Sequence, residues 1–308
     1  MPDLAVFYEH PQWFEPLFRE LDRRGVDWTR MPIQDHTFDP GDPRPPAPLI
    51  LNRLAMSSFV RQEEHALFYS LAVLGHWEDV GARVVNGTGV LAYDTNKARQ
   101  LSLFRRCGLD IPRTRVAHRR ADVARLAAEL GYPVMVKVNV GGSGAGMIRY
   151  DSAEELEAAV ADGLTPVGVD GVALVQEYVP AREGRVIRCE VLAGKLFYAI
   201  ALDGAGSTFD LCPAEVCMVD KPTISITAFQ PPPDMVAAAE RVAAASGLDV
   251  GGIEYMIDDR DGRAKFYDLN ALSNFVANPL DVLGFDPHEP FVTWLLGQVA
   301  AQREAAAA

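Results

Sequence analysis

Residues 251–274, GGIEYMIDDRDGRAKFYDLNALSN, decide the fold. Two extended runs flank the turn-rich stretch Asp258-Asp259-Arg260-Asp261-Gly262, the pattern of a β-hairpin. If the hairpin closes symmetrically about Asp261, Glu254 and Asp268 stand opposite each other. Cross-strand partners have Cβ atoms roughly 5 Å apart, so two carboxylates there repel. Asn270, two residues beyond Asp268, shares their face and adds a carbonyl oxygen. Two carboxylates and an amide oxygen suit a hard divalent cation such as Mg2+. A solvated hairpin edge that tolerates its charges is the competing reading of this segment alone.

Outward from the hairpin, the chain is that of an ordinary globular protein. Its 308 residues can hold two or three subdomains around a sizeable core. A net charge of −13 argues against nonspecific binding to nucleic acid or to an anionic membrane, because phosphates want clustered Lys and Arg. The start, MPDLAVFYEHPQW, lacks a basic segment followed by an apolar run, so no signal peptide is expected. No stretch approaches the roughly 18 apolar residues of a membrane span. Cys107, Cys189, Cys212 and Cys217 fit neither a disulfide framework nor a CxxC pair. They read as reduced thiols, and a cytoplasmic location is the expectation. The histidines lack metal-ligand spacing, which argues against zinc.

The first 88 residues alternate strand and helix patterns. LAVFYEH (4–10) is a strand, Glu15–Gly25 a helix, VDWTRMPI a strand, and PLILNRL a strand after the Pro-rich loop 36–48. A long helix from about Ser57 to Leu74 and the strand RVVNG complete a small parallel α/β domain over 1–88. Residues 89–178 carry a helix (about 92–107), the strand PRTRVA, a helix 121–130, the strands PVMVKV and MIRYD, a helix 152–162 and VALVQEYV. From there to 308 the pattern is strand-rich: RVIRCEVL, KLFYAIAL, a helix 234–246, the acidic hairpin, and a final helix near 287–302. The alanine tail after Arg303 is expected to fray.

Three further segments have the chemistry of a phosphate site. In VMVKVNVGGSGAGMIRY (134–150), Lys137 on a strand precedes Gly141, Gly142, Ser143, Gly144 and Gly146. Glycines let backbone N–H groups approach phosphate oxygens, and Lys137 supplies a point charge. A strand follows, which makes this a hairpin flap and neither a Walker A loop nor a Rossmann turn. An empty glycine turn remains the alternative. Lys97 falls in the first turn of an amphipathic helix ending at Gly108, where a lone lysine is as a rule solvated. The strand ending in Gln176-Glu177-Tyr178-Val179 and stopped by Pro180 offers backbone groups to an adenine edge, or is a plain strand exit.

Taken in order, Lys97 before "GLDIPRT", Lys137 with GGSGAG, QEYV, and the acidic hairpin ending in DLN resemble the ATP-grasp superfamily. The likeness is nearest to ribosomal-protein glutamate ligases of the RimK type and to bacterial glutathione synthetases, and it covers essentially the whole chain. The resemblance implies an ATP-grasp fold, α/β and α+β, behind an N-terminal parallel α/β domain over 1–88. A small subdomain over 89–178 would carry the glycine flap, and a C-terminal subdomain over 179–308 the metal-binding hairpin. ATP would lie between the two. Lys97 and Lys137 would contact its phosphates, the loop of Gly142, Ser143 and Gly144 would close over them, and Gln176, Glu177, Tyr178 and Val179 would form the adenine hinge. Glu183 would reach the ribose. Glu254, Asp268 and Asn270 would hold two Mg2+ ions, with Mn2+ as a substitute.

The implied activity is carboxylate–amine ligation through an acyl phosphate, releasing ADP and phosphate. Arg188 and Lys137 would be the catalytic side chains, with Arg188 on the acyl-phosphate or tetrahedral oxyanion. The partners would be a small carboxylate and an amine such as an amino acid or peptide, and a homodimer is compatible. Arg53, at the carboxyl end of a parallel strand, is a candidate clamp for a substrate carboxylate or a structural ion pair. Ser57, Asp210, Ser273 and Asn274 are further candidate substrate contacts. The chain departs from the family pattern in Asp268 for the usual Glu, in Val186 for an Asp, and in STFDLCPAE (207–215) for an Arg-x-Asn signature. The last change puts glutamate transfer to a protein tail in doubt. A small-molecule kinase and a nucleotide-binding regulator are the competing functions on the same fold.

Overall fold

The computed structural model describes residues 1–58, 66–142, 146–204 and 224–307. Its first sheet joins β1 (Leu4–Tyr8), β2 (Trp28–Pro32), β3 (Leu49–Arg53) and β4 (Arg83–Val85), all parallel, in the order β2-β1-β3-β4. Both central strands are buried along their full length, as parallel strands covered on two faces must be. Alternate residues serve different cores. Leu4, Val6 and Tyr8 meet α1 (Glu15–Arg23), while Ala5 and Phe7 meet Trp77 of α2 (Ala66–Asp79). The expected helix 57–74 is seen as α2, which runs on to Asp79. Part of its expected first half, residues 59–65, lies outside the described residues.

The expected helix at 92–107 is two helices, α3 (Thr88–Asp94) and α4 (Lys97–Arg106). Asn96 breaks them because its extended backbone and side-chain oxygen, which accepts from Arg99 N at 2.9 Å, make it an N-cap. Lys97 is therefore the first residue of a helix. A second sheet, order β5-β8-β6-β7, contains β5 (Thr114–Ala117), β6 (Val134–Val138), β7 (Met147–Tyr150) and β8 (Ala173–Glu177). One face packs on α5 (Val123–Leu130) and α6 (Ala153–Ala161) through Val134, Val136, Leu126 and Leu156. Ser152 caps α6 by accepting from Glu155 N at 3.3 Å. β6 and β7 form the expected hairpin under the glycine loop. At its exit Gly146 has φ +72°, and a Cβ there would lie 2.7 Å from Val138 Cγ1, so glycine is required.

The third sheet is antiparallel, in the order β11-β10-β9-β12-β13: β9 (Ala181–Leu192), β10 (Lys195–Asp203), β11 (Ser225–Ala228), β12 (Val250–Asp258) and β13 (Ala264–Asn270). Ile187, Cys189 and Val191 of β9 point to a core shared with α4 and α7 (Pro233–Ser246). The opposite face, with Val186, Tyr198 and Ile200, turns toward the first sheet. After the short helix α8 (Pro279–Leu283), α9 (His288–Ala307) returns to that first sheet, where Phe291, Val292 and Leu295 pack with Leu49, Leu51 and α1. The alanine tail does not fray at Arg303; it continues α9 through Ala307. No helix among the described residues is long and apolar enough to cross a membrane.

Candidate functional site

Register alone assembles most of the site. β12 pairs with β9 and β13 so that Ile200, Arg188, Glu254 and Asp268 form one row across four strands. Tyr198, Glu190, Gly252 and Asn270 form the neighbouring row. Paired residues, and residues two apart, share a face, so these polar groups converge on the side turned toward the first sheet. Glu254 and Asp268 are opposite each other as expected, although the turn is not centred on Asp261, since Ile257 pairs with Ala264. A bulge just beyond them shifts the pairing to Tyr255 with Phe266. The extra residue is Tyr267, whose hydroxyl donates to Glu254 Oε2 at 2.8 Å.

Arg188 is buried and lies between two carboxylates, Nε donating to Glu190 Oε1 at 2.6 Å and Nη1 to Glu254 Oε1 at 2.9 Å. Burial alone would lower its pKa, but the charges of Glu190 and Glu254 outweigh burial and raise it, so it is a permanent cation. The guanidinium lies across Gly252. A Cβ at that position would sit 2.4 Å from Arg188 Cζ, which is why this strand carries a glycine. Burial, reinforced by the charge of Asp268, pushes the Glu254 carboxyl up against the opposing pull of Arg188.

Two devices bring the lysines over this face. Gln100 grips the backbone of β13 between Asp268 and Asn270, its Nε2 donating to Leu269 O at 2.8 Å and its Oε1 accepting from Leu269 N at 3.0 Å. Lys97, one turn earlier on α4, thereby reaches Asp268 Oδ1 and forms an ion pair with it. Asn139 then fastens the start of α4 to the end of β6, where its backbone oxygen accepts from Lys97 N at 3.1 Å and its Oδ1 from Ala98 N at 3.0 Å. Lys137, two residues back on β6, is buried. Burial, and then the positive charge of Lys97, lower its pKa to about 8, while Asp268 and Glu254 oppose the fall. Residues 97, 137, 254 and 268 thus share one electrostatic environment. Beneath it, Asp94 is buried and accepts from Ala271 N at 3.1 Å. Burial, with Asp268 adding to it, raises the Asp94 carboxyl to about 7.

The donor set fits a hard cation. Glu254 and Asp268 supply carboxylate oxygens, and Asn270 Nδ2 lies 3.5 Å from Glu254 Oε1 and 3.4 Å from Asp268 Oδ2. Turning that amide presents Oδ1 instead. No group of three or more His, Cys, Asp or Glu suited to a metal exists among the described residues, so these three side chains need further oxygens from a ligand.

At the hinge, Gln176 Nε2 donates to Thr114 Oγ1 at 2.8 Å. Glu177 accepts from Arg113 N at 2.8 Å and Arg113 Nε at 3.0 Å, and Arg260 Nη2 lies 3.3 Å away. The N–H groups of Glu177 and Tyr178 donate to Arg113 O and Pro133 O. Tyr178 carries Arg149 over its ring at 4.1 Å, and Val179 is buried. Glu183 is exposed, has φ +56° and pairs with Arg185 at 3.3 Å.

Arg53 is fully buried at the end of β3, and its Nη1 has no hydrogen-bond partner. Ser57 lies against Gly142, where a Cβ would be 3.7 Å from Ser57 Cβ. Ser273 donates to Glu190 Oε1 at 2.9 Å. Asn274 Oδ1 is buried without a partner. Ser143, Gly144 and Asp210 lie outside the described residues. Reasoning from sequence missed Glu190, Tyr267, Gln100, Asn139 and Asp94. Only Glu190 carried a signal, as a charge two residues from Arg188 in an otherwise apolar strand.

The model of the RimK-like ATP-grasp domain matches residues 94–275. A probable alpha-L-glutamate ligase 1 of Pseudoalteromonas atlantica is 31% identical over 170 residues, 55% of this chain and 53% of that protein. The ribosomal protein bS6--L-glutamate ligase of Escherichia fergusonii is 32% identical over 134 residues, 43% of this chain and 44% of that one. The chain thus spans about half the length of the curated relatives it matches. Among solved structures, the ATP-grasp ligase PsnB complexed with minimal precursor superposes with a TM-score of 0.68 at 20% identity, covering 98% of this chain and 100% of that one, which shows the fold. With that match spanning the lysines, the hinge and the acidic hairpin, the chain belongs to the RimK-like ATP-grasp family.

Proposed function

We propose that this chain is an ATP-dependent carboxylate–amine ligase. The observation that carries the reading is the convergence of Lys97, Lys137, Arg188, Glu254, Asp268 and Asn270 on one face between two sheets. Bound ATP with Mg2+ supplies the γ-phosphoryl group that converts a substrate carboxylate to an acyl phosphate, and attack by an amine then expels phosphate and leaves an amide. Lys97 and Lys137 hold the phosphates. Glu254, Asp268 and Asn270 would hold the ions, and Lys97, paired with Asp268 in their absence, would turn to the phosphate. Arg188, kept cationic by its two carboxylates, faces the developing oxyanion. Val179 offers its N–H to the adenine, since those of Glu177 and Tyr178 are engaged within the protein. Glu183, exposed near the start of β9, meets the ribose.

The relatives' names specify glutamate as the amino acid they join. We do not carry glutamate over, because STFDLCPAE replaces the segment that the resemblance ties to substrate holding. The test is ADP release against a matrix of acids and amines. Release that requires both substrates supports ligation. A stable phosphorylated product, or AMP with pyrophosphate, would refute it.

A further inference from the structure

A line of bonds runs along the buried face from the loop after β13 to the acidic hairpin. Phe275 N donates to Ser273 Oγ at 3.1 Å, and the Ser273 hydroxyl donates to Glu190 Oε1 at 2.9 Å. The same oxygen accepts from Arg188 Nε at 2.6 Å, and Arg188 Nη1 donates to Glu254 Oε1 at 2.9 Å. The side chains of Arg188, Glu190 and Glu254 are 7%, 1% and 6% exposed, so solvent does little to screen these charges. Gly252, under the guanidinium, offers no side chain to hold it, and Arg188 depends on its carboxylates for its place. The two carboxylates are not equivalent. Glu254 is a candidate metal ligand with both oxygens engaged, Oε1 by Arg188 and Oε2 by the Tyr267 hydroxyl at 2.8 Å. Glu190 stands in the neighbouring row, paired with Tyr198 and Gly252, and its hydrogen bonds go to Arg188 and Ser273.

A metal ion on Glu254 and the Arg188 guanidinium repel, because both are positive and share one buried carboxylate. The Nη1 bond is the one such an ion weakens, while the Nε bond to Glu190 is uncontested. We propose that Glu190 is the positioning residue of Arg188: fastened by Ser273, it holds the guanidinium through Nε when Glu254 serves a cation, and so frees Nη1 for the reacting oxygen. The inference rests on the ligase reading, in which Glu254 meets Mg2+ and Arg188 the oxyanion. Against burial, which would lower it, the charge of Glu190 leads and that of Glu254 follows in raising the Arg188 pKa. Without Glu190 the whole attraction of Arg188 falls on Glu254, and arginine and metal compete for one carboxylate. In this role Ser273 acts through Glu190 and needs no contact with substrate.

The test is calorimetric titration of the full chain with AMPPNP, once in excess Mg2+ and once in EDTA. The ratio of the two affinities is the gain that the metal confers. In Glu190→Gln, which keeps size and shape, that gain should be cut by about 10-fold, while affinity in EDTA stays within about 3-fold of the parent. With the acid and amine identified by ADP release, turnover should fall about 100-fold and KM for ATP should change by less than about 3-fold. Ser273→Ala should cut the gain and turnover by about 3-fold each, as a second variant should Glu190→Gln misfold. Failure of the parent to bind AMPPNP in either condition would overturn the ligase reading and this role with it. AMPPNP binding with no gain from Mg2+ would overturn the role alone. So would a folded Glu190→Gln that melts lower yet keeps the parent's gain and turnover, the mark of a purely structural ion pair. Should Glu190→Gln misfold, parent values in folded Ser273→Ala would overturn the role equally.

Discussion

Replacing Lys137 by methionine should make the nucleotide-free protein more stable while removing its grip on ATP. The lysine value falls from 10.5 to about 8, chiefly by burial and then by the nearby Lys97 charge. At about 1.4 kcal/mol per pH unit, keeping Lys137 protonated in the fold costs about 3 kcal/mol. The direction follows from proton counting. Between about pH 8 and 10.5 the unfolded chain holds the proton that the folded chain has released, so stability rises with pH across that window. Below it the penalty is complete. Lys137→Met has a similar length and no charge, so at pH 7 in EDTA it should melt about 4 °C higher than the parent. Its melting temperature should also lose the parent's rise between pH 8 and 10. ATP affinity should fall by about 100-fold. A Lys137→Met protein that melts lower than the parent at pH 7, with the same pH profile, would refute the claim that this ammonium is held at a cost for a phosphate ligand.

Gly252→Ala forces the Arg188 guanidinium to move, because the new Cβ would fall 2.4 Å from its Cζ. Turnover should drop about 100-fold while ATP affinity stays within about 3-fold, measured by ADP release and by nucleotide titration. Asp268→Asn removes the partner of Lys97 and one candidate ligand, so the Mg2+ concentration for half-maximal rate should rise by about 10-fold. An unchanged Mg2+ requirement would remove Asp268 from the metal set. Burial would raise the Glu177 carboxyl, but the Arg113 hydrogen bonds and the Arg113 and Arg260 charges hold it below the usual value of 4.5. Its stabilisation is therefore present above that value and is lost as pH falls below it. Glu177→Gln should cost about 1 kcal/mol at pH 7 by urea denaturation and much less near pH 3.

The acidic face was legible in part: period-two alternation places Asp268 and Asn270 together, but the register set at the turn would put Tyr267 opposite Glu254, and only the bulge brings Asp268 there. The parallel N-terminal sheet was legible from uninterrupted apolar strands such as LAVFY and PLILN. Tyr267 was not, because alternation puts it on the opposite face from Asp268, and only the bulge gives its hydroxyl access to Glu254. Gln100 and Asn139 were hidden for another reason. Each acts on the backbone of a strand or helix distant in sequence, and amide side chains look alike on any surface. The break between α3 and α4 turned on Asn96 as a cap, a local signal that the continuous apolar spacing of 92–107 masked.

The return of α9 to the first sheet has a consequence for synthesis. Residues 4–85 cannot bury Leu49, Leu51 and Phe18 fully until Phe291, Val292 and Leu295 have emerged from the ribosome some two hundred residues later. The ring that lies beside Arg53 arrives with the same helix. The first sheet therefore waits, half-covered, for a helix made long after it, and the buried arginine acquires its dry surroundings only when that helix folds back.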